Sequence, residues 1–155
     1  MKVLAMLAAG VAALVVSSLA AAATALPNPC TLLSTAHPEK TLAKGAAAGK
    51  PGKLMKYGSG ALLSESCTEV VGTLSVIISI SHNGGGFGGI KVTSMTHPSG
   101  LGAGDDLIVG TALGSGKPVD FIDFHKGTTY VSISANGAKP AGLTALARQV
   151  YKLIH

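Results

Sequence analysis

The pattern of apolar and polar positions is clearest over residues 73–82. Leu74, Val76, Ile78 and Ile80 share one face of an extended chain, and Ser75, Ser79 and Ser81 share the other. Ile77 is the sole exception. A period of two over eight residues is the pattern of a strand with one buried face. Further extended segments are expected at residues 61–71, 90–95, 107–113, 118–125 and 128–135. Gly72 supplies a tight turn between the first two strands, and Lys126-Gly127 a hairpin turn before the last. Val131, Ile133 and Ala135 alternate with Ser132 and Ser134, so the last strand also has one wet face.

The period changes at both ends of this strand set. Over residues 141–154, Leu143, Leu146, Ala147, Val150 and Ile154 fall at helical spacing, with Arg148, Gln149 and Lys152 opposite. Residues 26–29 contain two prolines and read as an extended lead-in. Residues 30–44 read as a short helical region. Thr35 is the expected cap of a helix starting near His37-Pro38, with Glu39 in its first turn and Leu42 and Ala43 toward the core. The small-residue stretch at 45–52 is expected to be a mobile loop. The expected fold is therefore α+β: an antiparallel sheet with an N-terminal and a C-terminal helix on one face. Residues 26–155 form a single domain with neither repeat nor linker.

Composition changes the picture at the N-terminus. Twenty of residues 1–25 are hydrophobic, so the overall 47% overstates the rest of the chain. Met1-Lys2 is a short positive segment, residues 3–16 are apolar, and Ala23-Thr24-Ala25 has the small-x-small pattern of signal peptidase sites. Residues 1–25 are read as a signal peptide cleaved after Ala25, with Ala23 as the second choice and an uncleaved anchor as the alternative. The expected location is secreted, periplasmic or envelope-associated, with no membrane span after cleavage. Asn28-Pro29 precedes the first cysteine, so lipid anchoring at Cys30 is not expected. In an oxidising compartment two cysteines read as one disulfide, Cys30–Cys67. Glu65 and Glu69, two residues either side of Cys67, would share its face near the rim.

Charge excludes some partners. The chain carries 12 basic and 7 acidic residues, a net charge of +5. A loose cluster at Lys40, Lys44, Lys50, Lys53 and Lys56 has only Tyr57 nearby, so it lacks the interleaved aromatics of single-strand nucleic-acid sites. No nucleic-acid partner is expected; a cell-envelope component is the partner class considered.

Candidate chemistry is sparse. Asp123 and His125 are two residues apart on one strand and point the same way, so an oriented imidazole is conceivable. Both are read as strand-surface residues, and no nucleophile can be placed beside them from sequence. His82 ends the apolar face of its strand and is read as a structural residue at a sheet edge. Asp105-Asp106 and Asp120-x-x-Asp123 offer oxygen ligands but lack the ligand count of a calcium loop, so turn and surface roles are favoured. The Gly84–Gly89 run precedes a strand rather than a helix and is read as a hairpin loop, not a phosphate cradle. No metal and no cofactor is expected.

Several segments together carry a resemblance. Pro29-Cys30-Thr31-Leu32-Leu33-Ser34, a second cysteine in a strand, Gly100-Leu101-Gly102-Ala103-Gly104-Asp105-Asp106, Lys126-Gly127-Thr128-Thr129-Tyr130-Val131-Ser132-Ile133 and Leu143-Thr144-Ala145-Leu146-Ala147 follow one another in order. The chain resembles the actinobacterial-type secreted and lipid-anchored proteins of undefined function that open with Pro-Cys-x-Leu-Leu-Ser/Thr and have a PsbP/Mog1-like fold. It departs from them in lacking a lipobox and in carrying Ala103-Gly104 before the aspartates. The resemblance implies a secreted, non-catalytic domain. The residues favour a non-enzymatic binding or envelope-associated domain. The alternative is a small exported hydrolase or metal-dependent enzyme using Asp123 and His125, which requires those side chains, with or without His82, to meet in one concavity.

Overall fold

The computed structural model describes residues 25–82, 84, 90–102, 105–113 and 115–155. The expected signal segment at 1–24, most of the 84–89 glycine run and Ala103-Gly104 lie outside the described residues. The described residues open with two short helices, α1 (Pro29–Ala36) and α2 (Pro38–Leu42). Seven strands follow: β1 (Met55–Tyr57), β2 (Ser64–Val71), β3 (Leu74–Ser81), β4 (Ile90–Thr96), β5 (Asp106–Ala112), β6 (Pro118–Lys126) and β7 (Thr129–Ala135). Helix α3 (Pro140–Leu153) closes the fold. The α+β expectation is met.

The helix expected near His37-Pro38 is present as α2, with Pro38 and Glu39 in its first turn, but His37 rather than Thr35 stands at its N-cap. A further helix, α1, precedes it and is capped by Asn28, whose side-chain oxygen accepts the N–H groups of Cys30 and Thr31 at 2.9 and 3.1 Å. Pro29 then occupies the first turn, where its missing N–H costs nothing. Thr35 lies inside α1, and its side chain is exposed. His37 adopts a left-handed conformation (φ 50°) that ends α1 and turns the chain into α2. Helix α1 buries Leu32, Leu33 and Ala36.

The strands form one antiparallel sheet in the order β1-β2-β3-β7-β6-β5-β4. Two meanders, β1–β3 and β4–β7, are joined by the pairing of β3 with β7. The β2–β3 hairpin pairs Val71 with Leu74 around Gly72, whose φ of +60° a side-chain-bearing residue rarely adopts. The three-residue strand β1 is too short to show a period and was not foreseen. At the other edge, β4 is irregular between Val92 and Ser94 and runs close over β5. A Cβ at Gly110 would lie 2.7 Å from Ile90 Cγ2 and 2.8 Å from Lys91 O, so only glycine fits there.

Alternation sorts the sheet into two faces. All three helices and the main core lie on one: Cys67 and Val71 of β2, Val76, Ile78 and Ile80 of β3, Val131, Ile133 and Ala135 of β7, and Ile122 and Phe124 of β6. Leu143, Leu146, Ala147 and Val150 of α3 close over them. Lys126 caps the end of α3, donating from Nζ to Ile154 O at 2.6 Å and Tyr151 O at 3.1 Å. The Cys30 and Cys67 sulfurs lie 2.08 Å apart, at disulfide distance, so α1 is held against the helix-covered face of β2.

Glu65 and Glu69 share that face with Cys67, as expected, but both are buried rather than at its rim. Lys56 of β1 pairs with Glu65, Nζ to Oε1 at 2.6 Å. Burial pushes the Glu69 carboxyl up and nearby Glu39 adds to this, while a backbone hydrogen bond from Gly49 and the proximity of His37 pull it down. The 45–52 stretch is docked rather than free: Gly52 N donates to Thr68 O, and Pro51 bridges to Glu69.

Candidate functional site

The face of the sheet away from the helices carries a cleft of about 400 Å³. Register builds it. Asp106 of β5 lies opposite Asp123 of β6, Asp123 opposite Ser132 of β7, and Ser132 opposite Ser79 of β3. One step along the strands, His125 lies opposite Tyr130, Tyr130 opposite Ser81, and Ser81 opposite Ser64. Two polar rows thus run side by side across four or more strands, because cross-strand partners project from the same face. Met95 and buried Ile108 add an apolar wall toward β4.

The carboxylates of this cleft are poorly solvated. Asp105, just before β5, is 1% exposed. Its Oδ1 accepts the backbone N–H of His125 at 3.0 Å and lies 3.0 Å from His125 Nδ1. Asp105 Oδ2 and Asp123 Oδ1 are buried and have no hydrogen-bond partner among the described residues. Burial is the main reason the Asp123 carboxyl is pushed up to about 7. A hydrogen bond from Ser132 opposes the rise, and the neighbouring charges of Asp106 and Asp105 reinforce it. His97, at the end of β4, reaches Asp106 with Nδ1. The His125 ring stacks on Tyr130, centroids 5.7 Å apart, which leaves its other nitrogen as the one not facing Asp105.

The structure thus brings Asp123, His125, Asp105 and Asp106 together, and separates others. Asp123 is part-buried in a cleft rather than on an open strand surface, and Asp105 is buried rather than in a surface turn. Asp120 is three residues from Asp123 and so falls on the opposite, helix-side face of β6. His82 follows the last residue of β3, which pairs with β2 and β7; it lies at a strand end, not a sheet edge. Ser79, Ser81, Tyr130 and Ser132 were not singled out from sequence. Each is unremarkable alone, and only the register that aligns β3, β7 and β6 makes them neighbours. The serine alternation in β3 and β7 was the available signal: two strands with hydroxyls on one face make a polar surface when paired.

Among the described residues no group of three or more His, Cys, Asp or Glu side chains is arranged to hold a metal ion, and no helix is long and apolar enough to cross a membrane. The arrangement can accept hydrogen bonds from a ligand at the two orphaned carboxylate oxygens and can exchange hydrogen bonds at the serine and tyrosine hydroxyls. Comparison with protein-family models, with curated proteins and with solved structures finds no match to this chain.

Proposed function

We propose that this protein is an exported, non-enzymatic binding domain whose ligand is a small polar molecule held in the open-face cleft, with the opposite face devoted to stability. The N-terminal sequence pattern supports export, and the resemblance to secreted actinobacterial-type proteins points the same way. The observation that carries the binding role is the buried Asp123 Oδ1, which has no hydrogen-bond partner among the described residues and lies in a hydroxyl-lined cleft. An orphaned buried acceptor costs stability, typically ~1–3 kcal/mol. Glu69 Oε2, on the helix-covered side, is another such acceptor among the described residues; Asp123 differs from it in lining the cleft.

The test is retention of small molecules. Purified protein is incubated with envelope and culture extracts, washed, denatured, and the released molecules are identified by mass spectrometry. The reading requires a compound retained by the native protein and lost from Ser79→Trp, which fills the cleft from β3. Identical profiles for the two proteins would end it.

A second reading rests on the Asp105–His125 contact. A buried carboxylate facing Nδ1 orients an imidazole, and a carboxyl near 7 beside it is suited to proton transfer at neutral pH. On that reading the cleft performs acid–base or hydrolytic chemistry with Asp123 and His125 in the leading roles. Turnover of a retained compound, abolished by His125→Gln in a folded variant, would favour it over binding alone.

A further inference from the structure

Resting on the cleft being a ligand site, we infer that its ligand is a small organic cation, whose protonated nitrogen is held at the Asp123 carboxylate with Asp105 and Asp106 beside it, and whose apolar body lies against Tyr130, Met95 and Ile108. Three observations converge on this. First, the chain is basic overall, yet among the described residues no lysine or arginine lines the cleft, whereas three aspartates do. Second, two of those aspartates keep a buried oxygen with no partner among the described residues, and one of them, Asp105, is 1% exposed. A nitrogen with several N–H donors is the chemical complement of acceptors left open in this way. Third, Tyr130 stands 41% exposed beside them, with His125 stacked on its ring, and its exposed remainder offers an aromatic wall to the apolar body of such a ligand. The cleft has the size of a small-molecule site rather than of an ion site. The lack of a metal-holding group among the described residues also points to an organic cation over a bare ion.

The groups facing Asp123 define how binding must respond to pH. They are Asp106 and Asp105 beside β5, Ser132 on β7, His125 on its own strand, and His97 at the end of β4 against Asp106. A cation prefers the ionised Asp123, whose carboxyl titrates at about 7 in the free protein. Bound cation and bound proton therefore compete. Affinity rises as pH is raised toward 7 and levels off above it, the slope below 7 approaching tenfold per pH unit.

The experiment uses two probes of equal shape, benzylammonium and benzyl alcohol, titrated into the purified protein while the amide signals of Ser79, Tyr130 and Ser132 are followed by NMR. The expected result is saturable shifts at those residues, with the ammonium binding about tenfold or more tightly than the alcohol. That preference should shrink as pH falls below 7. Asp123→Asn should lose the preference and its pH dependence while still binding the alcohol; Asp106→Asn provides the same reading if the first variant folds poorly. If the alcohol binds in the cleft as tightly as the ammonium, the cationic assignment is wrong and the cleft remains a ligand site. If the ammonium shifts none of the three residues, the cationic assignment also fails, and the extract-retention comparison with Ser79→Trp decides separately whether the cleft binds anything.

Discussion

The two faces of this sheet are made from the same strands by opposite strategies. The helix-covered face is filled with Val, Ile, Leu and Phe, has the Cys30–Cys67 pair at its N-terminal side, and is closed by α1 and α3. The open face carries serines, aspartates, a histidine and a tyrosine around a cleft. Strand β3 shows the contrast at single-residue resolution: Ile78 is fully buried and its neighbour Ile77 is 37% exposed. Since alternate side chains of a strand project to opposite faces, one strand serves both purposes without compromise. The lesson is that stability and chemistry are separable here. The polar track of the open face can be altered at little cost to the fold, whereas the helix-covered face and the buried Phe121–Ile108 pair beside the cleft cannot.

The largest expected effect lies on the stable face. Replacing both cysteines by serine removes a link between residues 37 apart in sequence. The denatured chain regains the loop entropy, worth ~4 kcal/mol. Melting should fall markedly, and limited proteolysis should speed up between residues 30 and 60. Thiol counting on the denatured, unreduced protein checks the premise, since no free thiol is expected.

The next effect tests the contrast within β3. Ile78→Ala empties a fully buried site and should cost ~3 kcal/mol in chemical denaturation. Ile77→Ala, one residue away, should cost less than ~1 kcal/mol. Equal costs would mean that something covers the open face.

The difference between the faces also explains what could be read in advance. Strong periods located six of the seven strands and α3 to within a few residues, since Leu74 to Ile80 and Leu143 to Ile154 each state their own geometry. Pairing the faces of the N-terminal segment was harder. Thr35 is a plausible cap for the helix at Pro38, but α1, capped by Asn28, already runs through it. The cleft was least legible. Asp123 and His125 share a face by simple alternation, but their closeness to Asp105, Ser132 and Tyr130 is a property of register across β5, β6 and β7. Asp105 showed no sign of burial in sequence, because two adjacent aspartates after glycines look like a turn.

A third prediction turns the contrast into a pH effect. The Asp123 carboxyl titrates near 7 when folded and near 3.8 ordinarily. The folded state therefore holds a proton that the unfolded state has released between those values. The stability it confers is fully present below pH 3.8 and is lost as pH rises through 7. Asp123→Asn has no carboxyl to ionise. It should match the parent near pH 4 and exceed it at pH 8 by on the order of 2 kcal/mol, read from urea melts at the two pH values. Glu69, under the 45–52 segment, is also raised and slopes the same way, so the difference between parent and variant isolates Asp123. A variant that is less stable than the parent at pH 8 would show that ionised Asp123 supports the fold, and the two-face separation would fail.

The smallest effect is the most specific. Ser132 donates a hydrogen bond to the Asp123 carboxylate and pulls its titration down, whereas the charge of Asp106 pushes it up. Removing each influence should therefore move Asp123 in opposite directions. Ser132→Ala loses a hydroxyl on the open face, where the cost to the fold is within ~1 kcal/mol, yet the Asp123 midpoint should shift to higher pH. Asp106→Asn should shift it to lower pH, as the like charge across β5 is gone. Carboxyl carbon chemical shifts of Asp123, followed through a pH titration of the three proteins, read the midpoints directly. Since burial is the largest contribution, neither variant should bring the midpoint back to the ordinary value for aspartate. Shifts in the same direction in both variants would mean that the two substitutions act through a common rearrangement of the cleft. The row Asp106–Asp123–Ser132 would then not be the fixed polar track on which a ligand is read.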